Sequence, residues 1–318
     1  MNDQISPAND DRPLVLAVVG PTCSGKTALS IALAQSLGGE IVACDSRTIY
    51  KYMDIGTAKP SHEEQAGIAH HMLDVVEPNE IYTVAQYKDA AAKSISEILQ
   101  RGAVPIVCGG TGFYARALLE GLAIPSVPPQ HELRAELNAL ADREGNNVLH
   151  DKLRQLDEVT AAKLSQNDRF RVVRALEVSL VAGKPFSDLI AKQPVPYRII
   201  WMGLNVGDRA NLKTYIEKRL DVQMQSGLLD EVQNLLHKYG TCHTLMNSVN
   251  YREFIDFFEG KFSLDDALVE CVRHNYQLAR RQLIWFRANK EINWFNVDEI
   301  PKNILLEQSL QLLKKSAY

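Results

Sequence analysis

Gly20, Pro21, Thr22, Cys23, Ser24, Gly25, Lys26 and Thr27 spell G-x-x-x-x-G-K-T, a spacing that builds a phosphate cradle. The two glycines let the backbone approach an anion closely. The loop N–H groups and the start of a following helix present partial positive charge, and Lys26 adds a full one. The Thr27 hydroxyl suits a magnesium ion. Which phosphorylated molecule sits there is open: a nucleotide and a diphosphate on an allylic alcohol fit equally, and a small-molecule kinase is the first expectation. A carboxylate follows at Asp45, in the stretch DSRTIYKYMDIGTAKP. By residue type alone Asp45 is a turn former, a water-mediated magnesium partner or a base.

These residues need elements that bring them to one place. The apolar run LVLAVVG at 14–20 reads as a buried parallel strand, and the helical spacing that follows closes on Gly38 and Gly39. A second strand at 40–46 delivers Asp45, an amphipathic helix closes on Gly102, and a third strand runs into the glycine turn GGTG. Alternating strands and helices predict an α/β fold, a P-loop NTPase-like parallel sheet flanked by helices. Ligands then sit at the carboxyl ends of the strands, where Gly20, Asp45 and Gly110 fall. Residues 131–182 read as helices, and 198–206 return to strand character. The expected organisation is a core at 13–122 and 198–318, a helical insertion at 123–197, and a disordered tail at 1–12. A long helix opens with Ser263 and Asp266 in capping-box spacing.

A chain of 318 residues, 46% hydrophobic, can bury a large core and a smaller one. No run approaches the ~18 apolar residues of a membrane span. Cys23, Cys44, Cys108, Cys242 and Cys271 are scattered without C-x-x-C spacing, which suggests reduced thiols in a cytoplasmic protein, expected to be a monomer. Adjacent His70 and His71 point to opposite faces and do not have chelating spacing. A net charge of −4 argues against a broadly basic coat, yet Arg169, Arg171 and Arg174 cluster, as do Arg280, Arg281, Arg287 and Lys290. Such runs are most often solvated helix faces.

The blocks GPTCSGKT, DSRTIYKYMDIGTAKP, HHMLDVVEPNEIYTVAQY, GGTGFYARALLEGL, RFRVVRALEV, RLDVQMQSGLLDEV and RRQLIWFR follow one another between residues 14 and 288. In this the chain resembles the tRNA dimethylallyltransferase family, also called the tRNA isopentenyltransferase or IPP transferase family. The resemblance implies prenyl transfer from dimethylallyl diphosphate to N6 of the adenosine 3′ to the anticodon of tRNA, with residues 20–27 holding the diphosphate. It implies magnesium (Mg2+) at Thr27, with Asp45 as a further candidate ligand. It implies catalytic roles for Asp45 as base, for Thr111 in orienting the amino group, and for Arg219 as a diphosphate contact. It implies tRNA contacts at Asp45, Ser46, Arg47, Thr48, Arg134, Phe170, Arg171, Arg174, Arg280, Arg281, Gln282, Trp285 and Arg287. Trp285 and its neighbour Phe286 suit either base stacking or a core.

The chain departs from the family's pattern in three places. Gln166 stands where a proline precedes N-D, Asn250 replaces the glycine of G-Y-[KR]-E, and Asn275 and Tyr276 replace a threonine–arginine pair. Asparagine tolerates a left-handed backbone, so the turn at 250 is expected to survive. All three departures are expected in the RNA-facing half, leaving the diphosphate half nearly intact. Three rival readings stand beside the transferase. One is a phosphate-loop kinase or NTPase. Another is an adenylate isopentenyltransferase, which has little use for the helical insertion and the basic C-terminal helix. The last is a tRNA binder without catalysis.

Overall fold

A computed structural model describes residues 11–315, so the tail expected at 1–12 falls almost entirely outside the described residues. The chain opens with β1 (Leu14–Val19), α1 (Lys26–Leu37), β2 (Gly39–Ala43), β3 (His70–His71), α2 (Val84–Gln100), β4 (Val104–Gly109) and α3 (Gly112–Leu119). A helical stretch follows: α4 (His131–Glu144), α5 (Asn146–Leu156), α6 (Glu158–Ala161), α7 (Arg169–Ala182) and α8 (Phe186–Leu189). Then come β5 (Arg198–Asn205), α9 (Arg209–Gln225), α10 (Leu228–Tyr239), α11 (His243–Met246), α12 (Arg252–Phe258), α13 (Leu264–Arg287), β6 (Asn293–Asn296) and α14 (Lys302–Lys315).

The strands pair in parallel in the order β3-β2-β4-β1-β5-β6. Central β1 is buried on both faces, as its unbroken apolar run requires. Leu16 and Val18 of β1, Ile106 of β4 and Met202 of β5 pack on Leu29 and Leu33 of α1, with Leu305 of α14 in the same cluster. Helix α2 lies against β2 and β4, where the fully buried Tyr87 donates its O–H to Ala43 O. The capping box at Ser263 and Asp266 forms, and Gly38 closes α1 in the left-handed conformation, both as their sequence signatures predict.

The fold divides into two compact units. The first runs through Ala115 and resumes at Pro196; the second is Arg116–Val195. The second unit has its own core, in which Leu137, Leu149, Leu153, Val172 and Leu176 pack together. Its entering and leaving segments are tied by an antiparallel bridge between Leu122 and Lys192. No helix among the described residues is long and apolar enough to cross a membrane.

Candidate active site

The sheet order sets the site. β2, β4 and β1 are neighbours, Val19 is in register with Gly109, and Ala43 is in register with Cys108. The strand ends therefore deliver Gly20, Asp45 and Thr111 side by side at one rim, with about 4.8 Å between adjacent strands. At Gly20, φ is 144° and a Cβ would lie 2.2 Å from Leu204 O, so no side chain fits where the loop leaves β1. The loop then turns through left-handed Cys23 (φ 63°) and Gly25 (φ 82°) into α1. Ser24 Oγ donates to Pro21 O at 2.8 Å and Lys26 Nζ to the same carbonyl at 2.6 Å. Burial pushes the Lys26 ammonium below the ordinary lysine range, and the nearby Arg219 charge adds to that, against opposing pulls from Cys108, Asp45 and Cys23.

Two long helices support this loop. Leu212 and Ile216 of α9 pack with Ala279 of α13, and Cys23 of the loop lies against the same cluster. The buried stripe of α13 is Ala267, Cys271, Asn275, Ala279, Gln282 and Phe286, spaced three or four residues apart as on one helical face. Its two polar members contact the site. Gln282 Oε1 accepts the Thr22 N–H at 2.8 Å, and Asn275 Oδ1 accepts from Arg219 Nη2 at 2.8 Å. Arg219 Nη1 donates to Thr22 Oγ1, so the arginine assigned by resemblance alone lies on the phosphate loop.

Asp45 Oδ1 accepts the Arg47 N–H at 2.8 Å, which makes it a turn former and leaves Oδ2 for other chemistry. Thr111 Oγ1 accepts the Ser46 N–H at 2.9 Å, which joins the rims of β2 and β4. Arg47 Nη2 reaches Asn247 O at 2.9 Å, and buried Thr48 Oγ1 has no hydrogen-bond partner among the described residues.

Two cavities meet here. The larger, about 470 Å³, holds the phosphate loop together with Ile31, Ile41, Leu73 and Thr27. The smaller, about 250 Å³, is lined by Ser46, Arg47, Thr111, Ser248 and Arg281 among others. Thr22, Lys26, Asp45, Thr57, Gly110 and Arg219 line both. Thr27 and Asp45 offer hard oxygen donors in the larger one. No group of three His, Cys, Asp or Glu residues capable of holding a metal exists among the described residues. That donor set fits a magnesium ion that keeps water and substrate oxygens better than one in an all-protein cage.

The segment MDIGTAKP turns out to be mainly scaffolding. The Glu231 carboxylate accepts the N–H groups of Asp54, Ile55 and Gly56 at 3.0, 2.7 and 3.0 Å and the Tyr251 O–H at 2.7 Å. A Cβ on Gly56 would lie 2.6 Å from the Tyr251 ring, so only glycine fits there. Lys59 Nζ, nearly buried, donates to Tyr50 O at 2.8 Å and pairs with Asp54 and Asp74. Sequence reading did not single out Glu231, Tyr251 or Lys59.

The RNA-contact candidates divide into groups. In the second unit, Arg134 makes a two-pronged pair with Glu177 at 2.8 and 2.9 Å, and Arg174 adds a third bond to the same wholly buried carboxylate. Arg174 also donates to Val127 O at 2.9 Å. Their geometry is that of an internal clamp. Phe170, 78% exposed, and the exposed Arg171 face outward on the first turn of α7. In the first unit Arg280, Arg281 and Arg287 are exposed and have no ion-pair partner among the described residues. Gln282 is buried and props the phosphate loop. Trp285 covers Gly112 and tilts against Phe113 at 6.3 Å, and Phe286 is core.

The structure relocates two of the departures. Asn250 adopts φ 75°, as its tolerance of the left-handed region predicts. Asn250 and Asn275 are not on the outer surface: they are 1% and 3% exposed and line the smaller cavity, and Asn275 holds Arg219 on the phosphate loop. Gln166 lies in the exposed turn before α7.

The family model described as IPP transferase matches residues 48–289. The chain is 42% identical to the tRNA dimethylallyltransferase of Thermomicrobium roseum, over 91% of this chain and 88% of that one. It is 40% identical to the tRNA dimethylallyltransferase of Acetivibrio thermocellus, over 93% of this chain and 96% of that one. Its fold is similar to the crystal structure of the tRNA isopentenylpyrophosphate transferase of Bacillus halodurans, with TM-score 0.72, 33% identity and coverage of 96% of this chain and 97% of that one. With a family match over most of its length and relatives at this identity, the chain belongs to the IPP transferase family.

Proposed function

We propose that the protein transfers the dimethylallyl group of dimethylallyl diphosphate to N6 of the adenosine 3′ to the anticodon in tRNA. The observation that carries this reading is the wall shared by two cavities: Thr22, Lys26, Asp45, Gly110 and Arg219 line both. A transfer between two substrates needs such a wall. The larger cavity pairs a phosphate cradle with apolar Ile31, Ile41 and Leu73, which suits an allylic diphosphate, and the smaller is polar, which suits a purine. Relatives at about 40% identity carry the name of this activity.

In the reaction the C1–O bond to the diphosphate breaks and its electron pair leaves on the bridging oxygen, while N6 forms a bond to C1. Lys26, Arg219 and the loop amides stabilise the growing charge, and the loss of one such contact typically costs about 10²–10³ in rate. Thr27 is the residue that would hold magnesium, with Asp45 reaching it through water, and the ion would share the neutralisation of the diphosphate. Asp45 Oδ2 takes the N6 proton, which helps because the amino lone pair is delocalised into the ring. Ser46 N–H fixes the Thr111 hydroxyl, which accepts from the same amino group. Asp45→Ala is expected to slow single-turnover prenyl transfer by about 10²–10⁴ while RNA affinity changes little. Equal losses in both would remove the base assignment.

The deciding experiment incubates the protein with magnesium, dimethylallyl diphosphate and an unmodified anticodon stem-loop containing consecutive adenosines, with AMP and ATP in parallel. Mass spectrometry then shows one added dimethylallyl group on the stem-loop, and ATP is not turned over. Prenylation of AMP in preference to RNA would instead establish the free-nucleotide enzyme. ATP turnover without prenylation would establish the NTPase.

A further inference from the structure

We infer that Asn275 and Asn250 are positioning residues that fix the Arg219 guanidinium on the phosphate loop and tie it to the backbone of the 54–58 loop. Four hydrogen bonds run in series. Arg219 Nη1 donates to Thr22 Oγ1, and Arg219 Nη2 donates to Asn275 Oδ1 at 2.8 Å. Asn275 Nδ2 donates to Asn250 Oδ1 at 2.7 Å, and Asn250 Nδ2 donates to Gly56 O at 3.0 Å. The direction of every amide is dictated. A guanidinium can only donate and a carbonyl can only accept, so flipping either asparagine would set donor against donor or acceptor against acceptor. Asn275 Nδ2 also donates to Cys271 O at 2.9 Å, which pins that amide to its own helix.

Both ends of the relay are held by further hydrogen bonds, the Thr22 N–H by Gln282 Oε1. Gly56 is gripped on its N–H by Glu231 and on its carbonyl by Asn250 and Gln223. The Asn250 N–H is held at 2.8 Å by Glu253, which is 3% exposed and pairs with His274. Asn250 and Asn275 are both almost fully buried, and both line the smaller cavity. A buried polar pair costs stability unless its groups are satisfied, and these two amides meet that demand by holding Arg219 and Gly56 O, which points to a positional role. Neutral acceptors orient Arg219 without cancelling its charge, as a carboxylate at 275 would. Two of the positions where the chain departs from its family's pattern, Asn250 and Asn275, therefore belong to one hydrogen-bonded unit around the diphosphate arginine.

The inference rests on the proposed diphosphate role of Arg219, and the test uses inorganic pyrophosphate so that the two can fail separately. Pyrophosphate affinity is measured calorimetrically, with magnesium, in the wild type, Asn275→Ala, Asn250→Gly, Arg219→Ala and Arg219→Ala/Asn275→Ala. Glycine at 250 keeps the left-handed backbone and removes only the amide. Asn275→Ala is expected to weaken pyrophosphate about tenfold and Asn250→Gly about threefold, in line with losing one oriented charged hydrogen bond or its support. In the Arg219→Ala background, Asn275→Ala changes affinity no further, because the relay acts only through the arginine. In steady-state assays Asn250→Gly raises KM for the allylic diphosphate and leaves KM for stem-loop RNA within about twofold. An equal loss from Asn275→Ala with and without Arg219, or no loss in either asparagine variant, would overturn the relay. Wild type that binds pyrophosphate but never prenylates RNA would leave the relay standing and remove the transferase reading.

Discussion

The arginines of the helical unit and those of the phosphate-loop unit differ in what meets their charge. Arg134 and Arg174 close on one carboxylate, Glu177, which is 0% exposed. Arg219 rests on a hydroxyl and an amide, and Arg280, Arg281 and Arg287 have no carboxylate partner among the described residues. In sequence the groups look alike, as basic positions on helices. In space the first is a structural clamp, and the others keep a full positive charge for a ligand. The lesson is that an arginine is available to an anion according to the chemistry of its acceptor, more than according to its exposure.

The strongest challenge to this contrast is Glu177→Ala. It leaves two guanidinium groups facing a buried gap, and breaking a buried pair by removing one partner typically costs about 3–5 kcal/mol. Denaturant unfolding is expected to show a loss of that size, and a loss below about 1 kcal/mol would place the clamp among weak surface pairs. Burial raises the Glu177 pKa, but Arg134, the Gln130 N–H and Arg174 outweigh it and hold the carboxyl below the usual glutamate range. The sign follows: the clamp's contribution is complete above the ordinary glutamate pKa and is lost as pH falls through the lowered one.

Arg219→Ala tests the opposite side of the contrast. Stability is expected to change little, while kcat/KM for dimethylallyl diphosphate falls about 10²–10³. Arg219→Lys restores only part of this, since a single ammonium cannot span Thr22 and Asn275 in the fixed fork of a guanidinium. Unimpaired kinetics with lost stability would move Arg219 into the class of Arg134.

What the sequence disclosed of this contrast was local. β1, the phosphate loop, the Asp45 strand end and the Ser263 capping box follow from apolar periodicity and turn chemistry within a few residues. The short β3 and β6, two and four residues long, lack any such periodic signal. Glu231 could not be singled out because its partners, Asp54 to Gly56, lie 175 to 177 positions away. Glu177 reads as one more acidic residue on a helix until Arg134, 43 positions earlier, is seen to meet it. Asn275 and Gln282 were nearer to legible: they are the polar residues on the buried stripe of α13, and a count along that stripe would have marked both.

A smaller effect separates the exposed arginines from the clamped ones. Arg281→Ala is expected to weaken stem-loop RNA binding and to reduce the slope of log K against log salt by about one phosphate contact. Arg174→Ala should change that slope less, because its guanidinium is engaged by Glu177 and Val127 O. Equal slopes in both variants would erase the distinction between the two groups.

The smallest expected effect concerns Lys26, the other cation of the shared wall with no carboxylate partner. Burial is the main reason its pKa lies below the ordinary lysine value of 10.5, with Arg219 acting in the same direction. A bound diphosphate favours the charged ammonium, so binding takes up a proton once pH exceeds the lowered pKa. Pyrophosphate affinity is therefore expected to be flat below that pKa and to fall above it, by at most about tenfold per pH unit. Stability runs the other way: the cost of burying the charge is constant below the lowered pKa and is progressively relieved as pH rises from there toward the ordinary lysine value. Lys26→Met, measured by calorimetry over the same range, should bind weakly and lose this limb of the profile. A limb that persists in Lys26→Met would assign it to the diphosphate's own ionisation and remove Lys26 from the group of cations held ready for an anion.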